Sequence, residues 1–199
     1  MKTFKQTKTT EEPRLKIMYE TDSESPRRQQ DNLGYFYTKE RNYKSPDGND
    51  TDIYNIMIET GEQASNEQNH IVEMTRRINA ETNQKVVAIY PVYRYEHGNV
   101  IYRVGTASGF DYSNCGFYII TDKTEREYGE HAKSIEALIA GELEEYTNWV
   151  NGDVFWFQLF DTKGEQVDSC GGFYDLDEIK SYLGKEWVKE DLSKYLIAQ

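Results

Sequence analysis

Between Ser134 and Tyr174 the spacing of apolar residues changes period, and that change marks the clearest local structure in the chain. Ile135, Leu138, Ile139, Leu143, Tyr146, Trp149 and Val150 recur at intervals of three and four, the stripe of an amphipathic helix, and Gly152 closes it. Val154, Phe155, Trp156, Phe157, Leu159 and Phe160 then form an aromatic, β-branched run. Thr162-Lys163-Gly164 reads as a turn, and Gln166 to Tyr174 as the returning strand. The pattern predicts a helix packed on a two-stranded ribbon. One position breaks the stripe: Glu142 falls among Ile139, Leu143, Tyr146 and Trp149.

The rest of the chain carries weaker signals. Met1 to Pro13 lacks periodicity and reads as a flexible tail, and Arg14 to Thr21 alternates as a first strand that Asp22 to Asp31 breaks. Tyr35-Phe36-Tyr37 is a short strand before the Ser45 to Asp50 turn. Asp47, Asn49 and Asp50 lack the spacing of a calcium loop, because Glu59 falls one place late counting from Asp47, so a solvated turn is expected. From Ile53 to Glu81 the pattern is helical with Gly61 as an interruption, firmest from Ser65 to Ala80. Val86 to Tyr95 and Val100 to Val104 make a hairpin through Glu96-His97-Gly98-Asn99, and Cys115 to Thr121 is another strand. Thr124 and Glu127 match a capping box, and Leu176 to Leu183 and Trp187 to Ile197 predict two short helices split at Gly184. Strands and helices mix without β-α-β alternation. The expected class is α+β, a mainly antiparallel sheet built from hairpins with packed helices. Residues 14–199 are expected to form one domain, with 53–84 as a helical insertion and 176–197 as C-terminal helices.

Composition adds the means of packing. Of 199 residues 37% are hydrophobic, and 16 Tyr, 8 Phe and 3 Trp offer large areas to bury. No apolar run approaches the roughly 20 residues that span a bilayer, and Met1 to Thr10 lacks the apolar centre of a signal peptide. The expectation is a bacterial host cytoplasm, with Cys115 and Cys170 reduced. The net charge of −12 is uneven: residues 1–110 hold 16 acidic against 15 basic side chains, residues 111–199 hold 19 against 8. So negative a body repels nucleic acid and acidic membrane and steers basic partners toward it.

Candidate chemistry is sparse. Cys170 with His97 as base and Asp111 or Asp168 as orienter would make a thiol hydrolase or transferase, since a nucleophile needs a base held in one tautomer. A small thiol beside Gly171 and Gly172 late in a strand more often packs. Cys115, Cys170, His70, His97 and His131 show no metal-ligand spacing, and no phosphate-binding glycine motif occurs, so neither metal nor cofactor is expected. Glu142 must find partners: a tyrosine, an arginine or strand-end amides in the core, or else a cleft where it serves as general acid or base. Glu125, Glu127, Glu130, Glu136, Glu144, Glu145 and Asp153 form an acidic surface suited to a basic partner. One helix cannot match the charge density of DNA, about one charge per 1.7 Å, so DNA mimicry needs several elements or a dimer.

The set Asp31-Asn32-Leu33-Gly34, Tyr95-Glu96-His97-Gly98, Asp111, Gly116-Phe117, Glu125 to Gly129, Gly141-Glu142, Glu144, Tyr146, Gly152-Asp153-Val154 and Asp168-Ser169-Cys170 resembles a family of small acidic proteins carried by bacterial phages and plasmids. The resemblance runs from about Ser25 to Tyr174, departs at Asn114-Cys115, and meets extra sequence over Ile53 to Gln84. It implies an accessory protein of a mobile element, of a kind that blocks a host defence enzyme by binding it, as anti-restriction and anti-CRISPR proteins do. A regulatory or scaffold module is the remaining alternative.

Overall fold

The computed structural model describes residues 14–29, 31–40, 44–124 and 134–197. Among these the chain forms an α+β fold with two antiparallel sheets: β1 (Leu15–Tyr19), β2 (Tyr35–Thr38), β3 (Val86–His97), β4 (Asn99–Val104), β5 (Tyr112–Thr121), β6 (Phe155–Phe160) and β7 (Gln166–Phe173). The helices are α1 (Pro26–Gln29), α2 (Asp52–Gln63), α3 (Glu67–Glu81), α4 (Ile135–Asn151) and α5 (Leu176–Leu183). No helix among the described residues is long and apolar enough to cross a membrane. Contacts group the described residues into two compact units. A central unit covers Glu24–Asn151, and a terminal unit takes the described residues before and after it.

In the central unit the strand order is β2-β5-β3-β4. Ile53, Ile56, Met57, Met74 and Ile78 of α2 and α3 bury against Tyr37, Phe117 and Ile119 on one face. Ile139, Leu143 and Tyr146 of α4 bury against Phe36, Val92, Tyr102, Tyr118 and Ile120 on the other. With both faces covered, β5 is buried without interruption from Cys115 to Thr121, so its alternation is hidden. A register shift between Val92 and Tyr93 leaves Cys115 as the extra residue of a bulge, turned onto the α4 face.

Local chemistry sets the helix ends. Ser134, Thr51 and Asn66 cap α4, α2 and α3, their side chains accepting from Ala137 N (3.1 Å), Tyr54 N (3.1 Å) and Asn69 N (2.8 Å). Gly61 does not interrupt α2, which runs through to Gln63. It sits where α3 crosses: a Cβ there would lie 2.9 Å from His70 Cε1, so the glycine permits close approach of the helices. The α4 stripe finds its partner in the four-stranded sheet, and the ribbon that follows takes β1 instead. The stripe is also narrower than its spacing predicts, since Ile135 and Val150 at its ends are exposed.

The terminal unit has strand order β1-β6-β7, with Leu15, Ile17, Phe155 and Phe157 buried against Ile179, Trp187 and Leu192. The expected helix from Trp187 to Ile197 is reduced to a 3₁₀ turn, Leu192–Tyr195. Trp187, Leu192 and Leu196 pack on the sheet, and Leu196 bridges Ile17 in parallel, an extended pairing a continuing helix would prevent.

Three of the four sheet edges are sealed. On β2, Phe36 N donates to Asp47 Oδ2 (2.5 Å) and Thr38 N to Ser45 Oγ (3.1 Å). On β4, Asn151 of α4 clamps both Val100 N (2.9 Å) and Val100 O (2.8 Å), and Tyr102 N donates to Thr147 Oγ1 (3.1 Å). On β1, Ile197 N donates to Ile17 O (2.9 Å). Covered edges keep a sheet from pairing with other chains.

Candidate functional site

A dense polar constellation among the described residues lies in the central unit around Arg27, whose side chain is 1% exposed. Ser25 and Pro26 open the single turn of α1 and aim the guanidinium inward. Its Nε donates to Asp47 Oδ1 (3.0 Å), Nη1 to Asn32 Oδ1 (2.9 Å) and Glu142 Oε2 (2.7 Å), and Nη2 to Gly34 O (2.6 Å) and Asp47 Oδ2 (2.6 Å). A guanidinium has five N–H groups, and all five are engaged. Its carbon also lies 5.5 Å from the Tyr118 ring centroid.

Glu142, the residue that breaks the α4 stripe, accepts from Arg27 Nη1, from Tyr118 O–H (2.5 Å) and, at Oε1, from Leu33 N (2.7 Å). Burial would lower the Arg27 pKa, but the hydrogen bond and charge of Asp47, with the charges of Tyr118 and Glu142, raise it above its ordinary value. Burial, then the Glu142 charge, likewise pushes the Tyr118 phenol up. The cluster ties α1, the 31–34 loop, the 45–50 turn, β5 and α4 together with its charges satisfied. A cleft of about 500 Å³ opens beside it, lined by Arg28, Asp31, Asp47, Asp50, Tyr35 and Tyr37 among others. With its donors engaged, Arg27 has none to offer an anion there. Asp47 lies in a turn expected to be solvated. Neither Asp47 nor Arg27 is singled out by spacing; the signal available in sequence is the lone carboxylate in the α4 stripe, which demands a cation.

Of the thiol-enzyme residues, His97 Nδ1 lies 3.6 Å from Asp111 Oδ2, with the imidazole 75% exposed at the β3–β4 turn. Cys170 belongs to the terminal unit, on β7. Cys115 is buried, its Sγ donating to Val92 O (3.4 Å), and burial pushes its thiol up to about 12. Of the acidic surface, Glu136 and Glu144 are exposed on α4 and Glu145 is half-buried beside them. Asp153 lies in the terminal unit, and Glu125, Glu127 and Glu130 fall outside the described residues. Among the described residues no group of three or more His, Cys, Asp or Glu is placed to hold a metal ion.

His70 is a buried titratable group that packs two helices. Its Nε2 lies 2.8 Å from Met57 O, and a carbonyl only accepts, so Nε2 carries the proton. Its ring meets Phe117 edge-on at 4.8 Å. Compared with protein-family models, with curated proteins and with solved structures, the chain matches none.

Proposed function

We propose that this chain acts by binding and not by turnover. It is an acidic accessory protein of a bacterial mobile element, a phage or plasmid, that docks on a basic defence or nucleic-acid-handling protein in the host cytoplasm and inhibits it. The observation that carries the reading is the division of charge. Arg14, Arg27, Arg76, Arg77 and Arg94 each face a carboxylate of this chain. Glu136 and Glu144 stand exposed on α4, and no ion pair among the described residues includes them. These five arginines are matched by the chain's own carboxylates while Glu136 and Glu144 face solvent, an arrangement that steers a cationic partner. Tyr95 and Tyr112 pack with tilted rings at 4.9 Å and Phe110 is fully exposed, aromatic surface of the kind that anchors interfaces. Glu136 and Glu144 lie about 12 Å apart along the helix, against about 1.7 Å per DNA charge, so α4 offers a docking face and DNA mimicry would draw on further elements.

The test is affinity capture from bacterial lysate at low and high salt, then titration of the captured protein's own activity. Inhibition saturates at one to one, and the Glu136→Lys/Glu144→Lys/Glu145→Lys variant binds about tenfold more weakly or worse. The proximity of His97 and Asp111 favours one rival, a hydrolase or transferase with Cys170 as nucleophile. Product formation at trace protein that Cys170→Ser abolishes would replace the binding reading with that one.

A further inference from the structure

The fourth sheet edge, the outer side of β7, differs from the other three. Phe160 N donates to Arg14 O and Glu20 N to Val154 O (both 2.8 Å), so even-numbered residues of β6 bond β1. Its odd-numbered residues therefore bond β7. Leu159 and Phe157 stand opposite Asp168 and Cys170. It follows that Asp168 and Cys170 bond inward, and that the Ser169 N–H and C=O turn to the outer edge. Among the described residues no strand or loop pairs there. The Ser169 N–H is held by the carboxylate of its own neighbour, Asp168 Oδ1, at 2.8 Å.

Carboxylates and two aromatic rings flank this edge. At the Gly171 end a cleft of about 500 Å³, lying wholly within the terminal unit, is walled by Glu20, Asp22 and Trp156. Gly171 makes the cleft possible: a Cβ there would lie 2.8 Å from Glu20 Oε2 and 3.2 Å from Trp156 Cβ. On the face that carries α5, Tyr182 is 53% exposed and packs on Phe157 and Phe173, both at 5.6 Å. The Asp168 charge, then that of Cys170, raises its phenol pKa, which places an acid beside that ring too.

We propose that the outer edge of β7 is a strand-addition site for an extended, lysine- or arginine-bearing segment of a partner protein. The added strand takes the Ser169 N–H and C=O, and a basic side chain enters the Glu20–Asp22–Trp156 cleft. A carbonyl of that strand replaces Asp168 on the Ser169 N–H and frees the carboxylate for a second cation. Main-chain pairing supplies affinity and the flanking pockets supply specificity. A second copy of this chain is the poorer occupant, since pairing β7 with β7 sets the carboxylates that flank the edge, Asp168, Glu20 and Asp22, against their own kind. The inference rests on the binding reading above only for the cationic character of the partner. It names a different surface from α4.

The test uses a fluorescein-labelled eight-residue peptide alternating Lys and Val, followed by anisotropy on the full chain. A second peptide is N-methylated at every residue, which blocks both hydrogen-bonding edges and leaves charge unchanged. The expected result is binding of the first peptide and at least tenfold weaker binding of the second. Ser169→Pro, which removes the edge-facing N–H, weakens the first peptide similarly, and Glu20→Gln/Asp22→Asn weakens it with a shallower salt dependence. Equal binding of the two peptides, no binding of the first at low salt, or a dimer in sedimentation that Ser169→Pro dissociates would each overturn the proposal. If the peptide arms fail while the α4 charge reversal still loses the captured partner, strand addition is discarded and the binding reading stands.

Discussion

Replacing Arg27 with Met removes a guanidinium that five acceptors surround and that is 1% exposed, from between Asp47 and Glu142, which are 12% and 15% exposed. Removing one member of a buried ion pair costs about 3–5 kcal/mol, because the charge left behind has lost both water and partner. Two carboxylates are left here, yet each keeps other donors: Phe36 N for Asp47, Leu33 N and the Tyr118 hydroxyl for Glu142. Each also reaches solvent at its rim, so the expected loss stays at about 3–5 kcal/mol and does not double. Against a typical stability of about 5–15 kcal/mol that loss is severe. Glu142→Gln is milder. An amide has one acceptor oxygen where the carboxylate uses two for three donors, and an unsatisfied buried donor costs about 1–3 kcal/mol. Urea unfolding gives the free energies, and hydrogen exchange at the Leu33 and Phe36 amides reports the cluster directly, since Glu142 and Asp47 protect them. The double variant should lose less than the sum of the single losses by about 1–3 kcal/mol. Arg27→Met within about 1 kcal/mol of wild type, or strictly additive losses, would refute the central place given to the cluster. Glu142→Gln with unchanged stability would return that carboxylate to the general acid or base reading.

Three other perturbations are equally specific. A Cβ on Gly116 would stand 2.0 Å from Tyr37 O and 2.8 Å from Thr38 Cα, both backbone, so Gly116→Ala must part β2 from β5 and should cost about 3 kcal/mol or more in urea unfolding. His70 is held below its ordinary value by burial, then by the Lys39 charge, with its bond to Met57 O working the other way. The unfolded chain therefore takes the proton first, and stability falls as pH drops below about 6.5 until the folded-state value is passed. His70→Gln should flatten that limb of the stability-versus-pH curve, and an unchanged limb would rule His70 out. Asn151→Ala strips both bonds from Val100, for a loss of about 1–3 kcal/mol, and opens the β4 edge, so light scattering should rise with concentration. A variant as stable and monodisperse as wild type would show that the edge needs no cover.

Much of the architecture lies in local patterning. The period change from α4 to β6, the hairpin at Gly98 and the α+β class follow from side-chain spacing, because amphipathic helices and half-buried strands must each show one apolar face. Where the pattern misleads, tertiary contacts decide. Gly61 resembles a helix breaker but serves the approach of His70. Trp187 to Ile197 has helical spacing, yet Leu196 pairs with Ile17. The 45–50 turn resembles solvated loop and instead seals β2.

What the sequence by itself determined is the α+β class and most of its helices and strands, where the acidic side chains concentrate, and that Glu142, alone in an apolar stripe, requires a donor. Only the tertiary structure decided that the donors are Arg27, Tyr118 and Leu33, that β1 joins a ribbon more than a hundred residues later, and which sheet edge stays open. The physical reason is range. Periodicity reports the few residues that share one face of an element, whereas a buried charge or a strand edge is satisfied by whatever the folded chain brings within 3 Å, at any separation in sequence.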